Sequence, residues 1–138
     1  MAAGTAPIFT EAPRTDWGVV PLATANTTID LTSGTILLVF TAGADGSYLS
    51  RIKFRSLGTN TATVARVWIN NGATTATLAN NILWGEITLA ATTVSQVAAL
   101  VDYEMPLGFA IPAAYRVYCT TGTTVAAGYA VSVVGGDY

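Results

Sequence analysis

Apolar positions in this chain recur at every second residue far more often than at every third or fourth, which is the spacing of β-strands. The clearest case is Tyr48-Leu-Ser-Arg-Ile-Lys-Phe-Arg-Ser-Leu, where Ile52 and Phe54 face one way and Arg51, Lys53 and Arg55 the other. Short β-branched runs at 27–31 and 35–41 precede it, and Ala44-Asp-Gly turns the chain between. Gly58-Thr-Asn leads into a strand at 61–70, which ends on Asn70-Asn-Gly, a tight-turn signal. A loop of small residues at 73–81 follows, then strands at 82–89, 103–111, 114–120 and 128–134. The stretch 92–101 is ambiguous, with room for one helical turn from Ser95. About eight strands at roughly ten-residue spacing read as a sandwich or barrel. Eight strands without a Cys…Trp…Cys spacing favour a jelly roll over an immunoglobulin type. The expected fold is all-β: a jelly-roll-like antiparallel β-sandwich with an extended N-terminal arm.

The arm is residues 1–25, and the sandwich is 26–138. Pro7, Pro13 and Pro21 interrupt the arm at near-regular intervals. Proline fixes φ and lacks an N–H, so this stretch suits neither a helix nor a central strand. Ile8, Phe9, Trp17, Val19, Val20 and Leu22 make it too apolar for a solvated tail. An arm laid over a surface satisfies both facts. Ile8 and Phe9 are its expected anchors on a neighbouring subunit, while 17–22 packs on its own domain.

Composition narrows the function. The chain has 138 residues, 51 % of them apolar and only 10 % charged, against roughly 25 % charged in an ordinary domain. Disorder is excluded, since it needs low hydrophobicity and high charge. No apolar run approaches the roughly 20 residues of a membrane helix, and residues 1–7 lack the basic and apolar regions of a secretory signal. A net charge of −2 gives no basic surplus for nucleic acid. With no His and one Cys, the chain has neither a Ser-His-Asp triad, nor the usual zinc ligands, nor an internal disulfide. Cys119 lies in an alternating strand and reads as a small buried hydrophobe of a protein made in a reducing cytoplasm. A surface so poor in charge fits a protein covered by other subunits.

Few side chains are candidates for chemistry. Asp102 and Glu104 share a strand face, but glycosidase carboxylates oppose each other across a cleft. A solvated edge or an ion pair between subunits is the better reading. Arg51, Lys53, Arg55 and Arg66 hold four of the six basic positions within one short stretch. Arg66 is placed on the hairpin partner of the 48–57 strand, and the four together are expected to pair with acids across an assembly interface. Trp17, Trp68 and Trp84 offer stacking surface for sugars, yet Trp68 and Trp84 lie in alternating strands, which favours core or interface packing. No cofactor and no metal are expected.

Three segments carry a resemblance: Leu49-Ser-Arg-Ile-Lys-Phe-Arg-Ser-Leu through Trp68-Ile-Asn-Asn-Gly, Ala79-Asn-Asn-Ile-Leu-Trp-Gly-Glu-Ile-Thr-Leu, and Thr124-Val-Ala-Ala-Gly-Tyr-Ala-Val-Ser-Val-Val-Gly-Gly-Asp-Tyr. Over about 48–138 the chain resembles small virion proteins of tailed bacteriophages, among them capsid decoration or cement proteins. That resemblance implies a non-enzymatic role on the capsid surface, synthesis in the host bacterial cytoplasm, and a homotrimer in contact with the major capsid protein. The alternative it leaves is a receptor- or glycan-binding module of a tail or head fibre. It carries over no functional residue.

Overall fold

The computed structural model describes residues 10–138. Eight strands form two four-stranded antiparallel sheets: β1 (Ala12–Trp17), β2 (Leu37–Thr41), β3 (Ser47–Ser56), β4 (Thr63–Asn70), β5 (Asn81–Leu89), β6 (Asp102–Ile111), β7 (Arg116–Thr121) and β8 (Tyr129–Asp137). One sheet runs β1-β8-β3-β6 and the other β2-β7-β4-β5. The pairs β1·β8, β2·β7, β3·β6 and β4·β5 are those of one long hairpin whose tip is the loop after Asn70. Rolling that hairpin over itself adds the pairs β3·β8 and β4·β7. Among the described residues the only regular helix is a 3-10 turn at Leu78–Asn80 in that tip. No helix there is long and apolar enough to cross a membrane.

The core lies between the sheets. Leu49, Ile52 and Phe54 of β3 and Val131 and Val133 of β8 meet Val39, Val67, Val117 and Cys119 from the facing sheet, all at most 3 % exposed. In β3 the buried positions change parity, from Ser47 and Leu49 to Ile52, Phe54 and Ser56. A bulge between Leu49 and Arg51 takes up the extra residue, so both halves of the strand present apolar side chains inward. Opposite it, Gly135 is obligatory: a Cβ there would stand 2.2 Å from the Tyr48 carbonyl oxygen. Pro13 and Pro106 sit in β1 and β6, the two edge strands of their sheet, where a missing N–H breaks no ladder.

Two expectations from the sequence are corrected. Residues 27–31 form no strand. Asn26, 2 % exposed, binds the carbonyls of Ser33 and Thr35 through Nδ2 and accepts from the Thr28 N–H, so the segment closes on itself in turns. Leu31 there adopts φ 61° and drops into a second apolar cluster with Trp68 and Tyr118, on the outer face of the β2 sheet. The segment 26–36 is thus a strap across that sheet. The other correction concerns Arg66: β4 lies in the sheet opposite β3 and pairs with β5 and β7, so Arg66 is not on a hairpin partner of β3. The eighth strand comes instead from the proline-broken arm, as β1 along the edge of β8.

Candidate functional site

Two surfaces collect the side chains with chemical potential. On the outer face of the β1 sheet, β3 and β6 lie antiparallel with Lys53 opposite Glu104 and Arg55 opposite Asp102. The strand period sends Arg51, Lys53 and Arg55 outward together, and Asp102 and Glu104 outward beside them. Lys53 Nζ lies 3.0 Å from Asp102 Oδ2, Arg55 also binds Asp102, and Arg51 Nε is 3.9 Å from Glu104 Oε1. Hydrogen bonds from Lys53 and then Arg55 hold the Asp102 carboxyl below the usual carboxylate range. The basic stripe and the acidic pair therefore form one ladder within the chain. Arg66 stands apart in the other sheet, where Nε donates to Glu86 Oε1 at 2.8 Å and Nη1 to the Asn26 carbonyl at 3.2 Å. That second bond fastens the strap. Ile8 and Phe9 lie outside the described residues.

The second surface is the rim where the edges of the two sheets, β1 and β2, run side by side. Arg14 and Asp16 point from β1 toward the sheet interior, and Thr15 and Trp17 away from it. The Arg14 guanidinium sits 4.4 Å above the Phe40 ring centroid. It donates to the Thr41 carbonyl at 2.9 Å and to Asp137 Oδ1 at 3.0 Å, and it binds Asp16. Ser47 Oγ donates to Asp137 in turn, and accepts from the Gly43 N–H. Partial burial opposes the charge on Arg14, but the bonds to Asp137 and Asp16 outweigh it and raise the guanidinium above its usual pKa. Desolvation likewise works against the Asp137 carboxylate, and its bonds to Ser47 and Arg14 win, leaving it below the usual value. Arg14 and Asp137 together thus join β1, β2, β3 and β8. An open groove of about 450 Å³ runs beside it, lined by Arg14–Trp17, Val19 and Leu38–Thr41. No local pattern in the sequence shows that Arg14 and Asp137 meet. The one local hint is that Arg14 is the only basic residue of 1–25.

No protein-family model matches this chain, and no curated protein matches its sequence. Among solved structures it is similar to a chain in the structure of infectious bursal disease virus Gt strain, at 16 % identity and a TM-score of 0.34. The match takes in 98 % of this chain and 36 % of that one, so this chain spans well under half its neighbour's length.

The remaining candidates are dispersed. Trp17 is 67 % exposed on the β1 edge, Trp68 lies under the strap with its indole N–H on Thr120 Oγ1, and Trp84 is on β5 with its ring centroid 4.4 Å from that of Phe109. They make no common stacking platform. Among the described residues no three His, Cys, Asp or Glu side chains come together as a metal site. Burial pushes the Cys119 thiol far up, which suppresses the thiolate and its reactivity. At the rim the Ser47 hydroxyl bonds the Asp137 carboxylate that Arg14 holds, but Ser47 is fully buried and its hydroxyl is turned away from solvent.

Proposed function

We propose that this chain is a non-enzymatic virion structural protein, a decoration or cement protein of a tailed-phage head. In this reading it acts as a homotrimer, holding the major capsid protein and other copies of itself at the capsid surface after synthesis in the bacterial cytoplasm. The observation that carries the reading is the balance of charge and apolar exposure. Arg14, Arg51, Lys53, Arg55 and Arg66, five of the six basic residues, are ion-paired inside the chain. Meanwhile Trp17, Val19, Val20, Ile29, Val97 and Val101 are each more than half exposed. Apolar exposure of this kind, with so little free charge around it, supports a surface that other subunits cover.

The fold supports the same role. The orders β1-β8-β3-β6 and β2-β7-β4-β5 fit a jelly roll, an architecture that capsid and lectin domains share. Its two sheets, knit by long-range pairing, make a rigid body that can bear load across a junction. Obligate interfaces bury more than about 2,000 Å². At about 25 cal/mol per Å², apolar burial over half that area contributes on the order of 25 kcal/mol before ordering costs, and a lattice repeats it at every site.

The test is binding of the purified chain to heads stripped of surface proteins. A cement protein binds saturably, raises the temperature at which the heads release DNA, and ignores host cells. Binding to host surface glycans without any effect on heads would replace this reading with the fibre module.

A further inference from the structure

We propose that β1 is exchanged between copies of this chain, each copy lending its Ala12–Trp17 strand to the β8 edge of the next. This rests on the reading above only in assuming that the chain works in multiple copies.

The strand is separable from the body that it completes. Every other strand contributes at least one buried side chain; β1 contributes none. Apart from its backbone ladder with β8, its side-chain hold on the rest of the fold is the Arg14 clasp on Phe40, Thr41 and Asp137. Lifting β1 away would uncover the Phe40 ring beneath Arg14, and moving Gly18 with it would uncover the Leu37 side chain. The chain is fixed again at Leu22, 3 % exposed and bonded to Tyr129 in both directions. The described residues before Leu22 can therefore swing away while the buried side chains of β2–β8 stay together.

The link has the character of a hinge. Between Gly18, whose N–H reaches the Val131 carbonyl, and Leu22 the chain passes through Val19 and Val20, 90 % and 58 % exposed. Pro21 biases Val20 toward extended backbone, the conformation an outstretched hinge needs. Four residues, 18–21, reach at most about 13 Å when extended. Exchange is then possible only between copies whose hinges lie side by side. That arrangement brings Trp17, Val19 and Val20 of one copy against those of the next, which covers the apolar side chains that the closed monomer leaves in water. The slot needs no new chemistry, because a second copy supplies the same arginine to the same ring, carbonyl and carboxylate.

The experiment uses the full chain carrying Thr15→Cys and Val134→Cys, register partners on the outward face of β1 and β8, where facing Cβ atoms are close enough for a disulfide. Natural-abundance and ¹⁵N-labelled protein are mixed in denaturant with reductant, refolded together at high concentration, oxidised and digested. Mass spectrometry then reads which peptide spanning position 15 is joined to which peptide spanning position 134. Exchange predicts heavy–light cross-links as abundant as the two like pairs together. Heavy–heavy and light–light cross-links alone would overturn it, since each β1 would then have closed on its own β8. Trp17→Cys with Ser132→Cys gives the same readout if the first pair fails to fold or to oxidise. Head binding by the same preparations, reduced, separates the outcomes: binding that persists with only like pairs overturns the exchange and leaves the function standing.

Discussion

Asn60 is a buried polar side chain that ties distant parts of the fold together. It is 3 % exposed, yet all its hydrogen-bonding capacity is met: Nδ2 donates to Ser56 Oγ and the Gly128 carbonyl, and Oδ1 accepts from the N–H groups of Ala127 and Gly128. It ties the end of β3 to the approach to β8. Asn60→Ala strands the N–H groups of Ala127 and Gly128, while the Gly128 carbonyl keeps the Leu57 N–H, and should lower stability by about 3 kcal/mol in urea titration. Asp137 gives the matching prediction in pH. Its folded-state pKa is depressed, so its contribution is present above the ordinary carboxylate range and is lost as pH falls through the folded value. Melting curves of Asp137→Asn should lie below the parent's at pH 7 and converge toward them below about pH 4. Asp30 and Asp102 are also depressed, so the variant keeps some acid sensitivity of its own.

The strap at 26–36 shows how a segment without regular structure is held. Leu31 occupies the left-handed region, which costs a branched residue roughly 1–2 kcal/mol. Packing on Trp68 and Tyr118, at 1 % exposure, offsets that strain. Leu31→Ala keeps the strain and removes the packing, and should cost about 2–4 kcal/mol while raising the protease sensitivity of 26–36. The charge ladder on β3 and β6 behaves differently, since its members are about half exposed. Replacing Arg51, Lys53 and Arg55 together by Ser should barely move the melting temperature, because exposed pairs contribute little. If the ladder faces another subunit, the same variant weakens assembly and flattens its salt dependence.

For the molecule as a whole, nearly every stabilising pairing joins residues distant in sequence, as the β1·β8 register of Ala12 with Asp137 illustrates. Such topologies fold slowly, and refolding monitored by Trp fluorescence should take milliseconds to seconds. Chelator should leave the melting temperature unchanged. The aspartates best placed to hold a cation are already engaged, Asp137 with Arg14 and Asp102 with Lys53 and Arg55.

Alternation, β-branched runs and turn signals together located seven of the eight strands, because a sheet with one face in the core writes its period into the sequence. Ile52 and Phe54 against Arg51, Lys53 and Arg55 could be read directly, whereas Pro13 only barred its segment from a central strand and did not show that it pairs with β8. Turn chemistry was less faithful. The β-branched run at 27–31 looks like a strand, and only the tertiary structure shows Asn26 drawing its carbonyls into turns and Trp68 drawing Leu31 across the sheet. Strand neighbours were also out of reach. Arg66 follows Arg55 after a short turn, as a hairpin partner would, yet the chain crosses to the other sheet, because burying both apolar faces requires the long hairpin to roll. The Arg14 clasp has the same origin. Its partners lie at 40, 41 and 137, and no local pattern records a contact made only when the two ends of the chain meet.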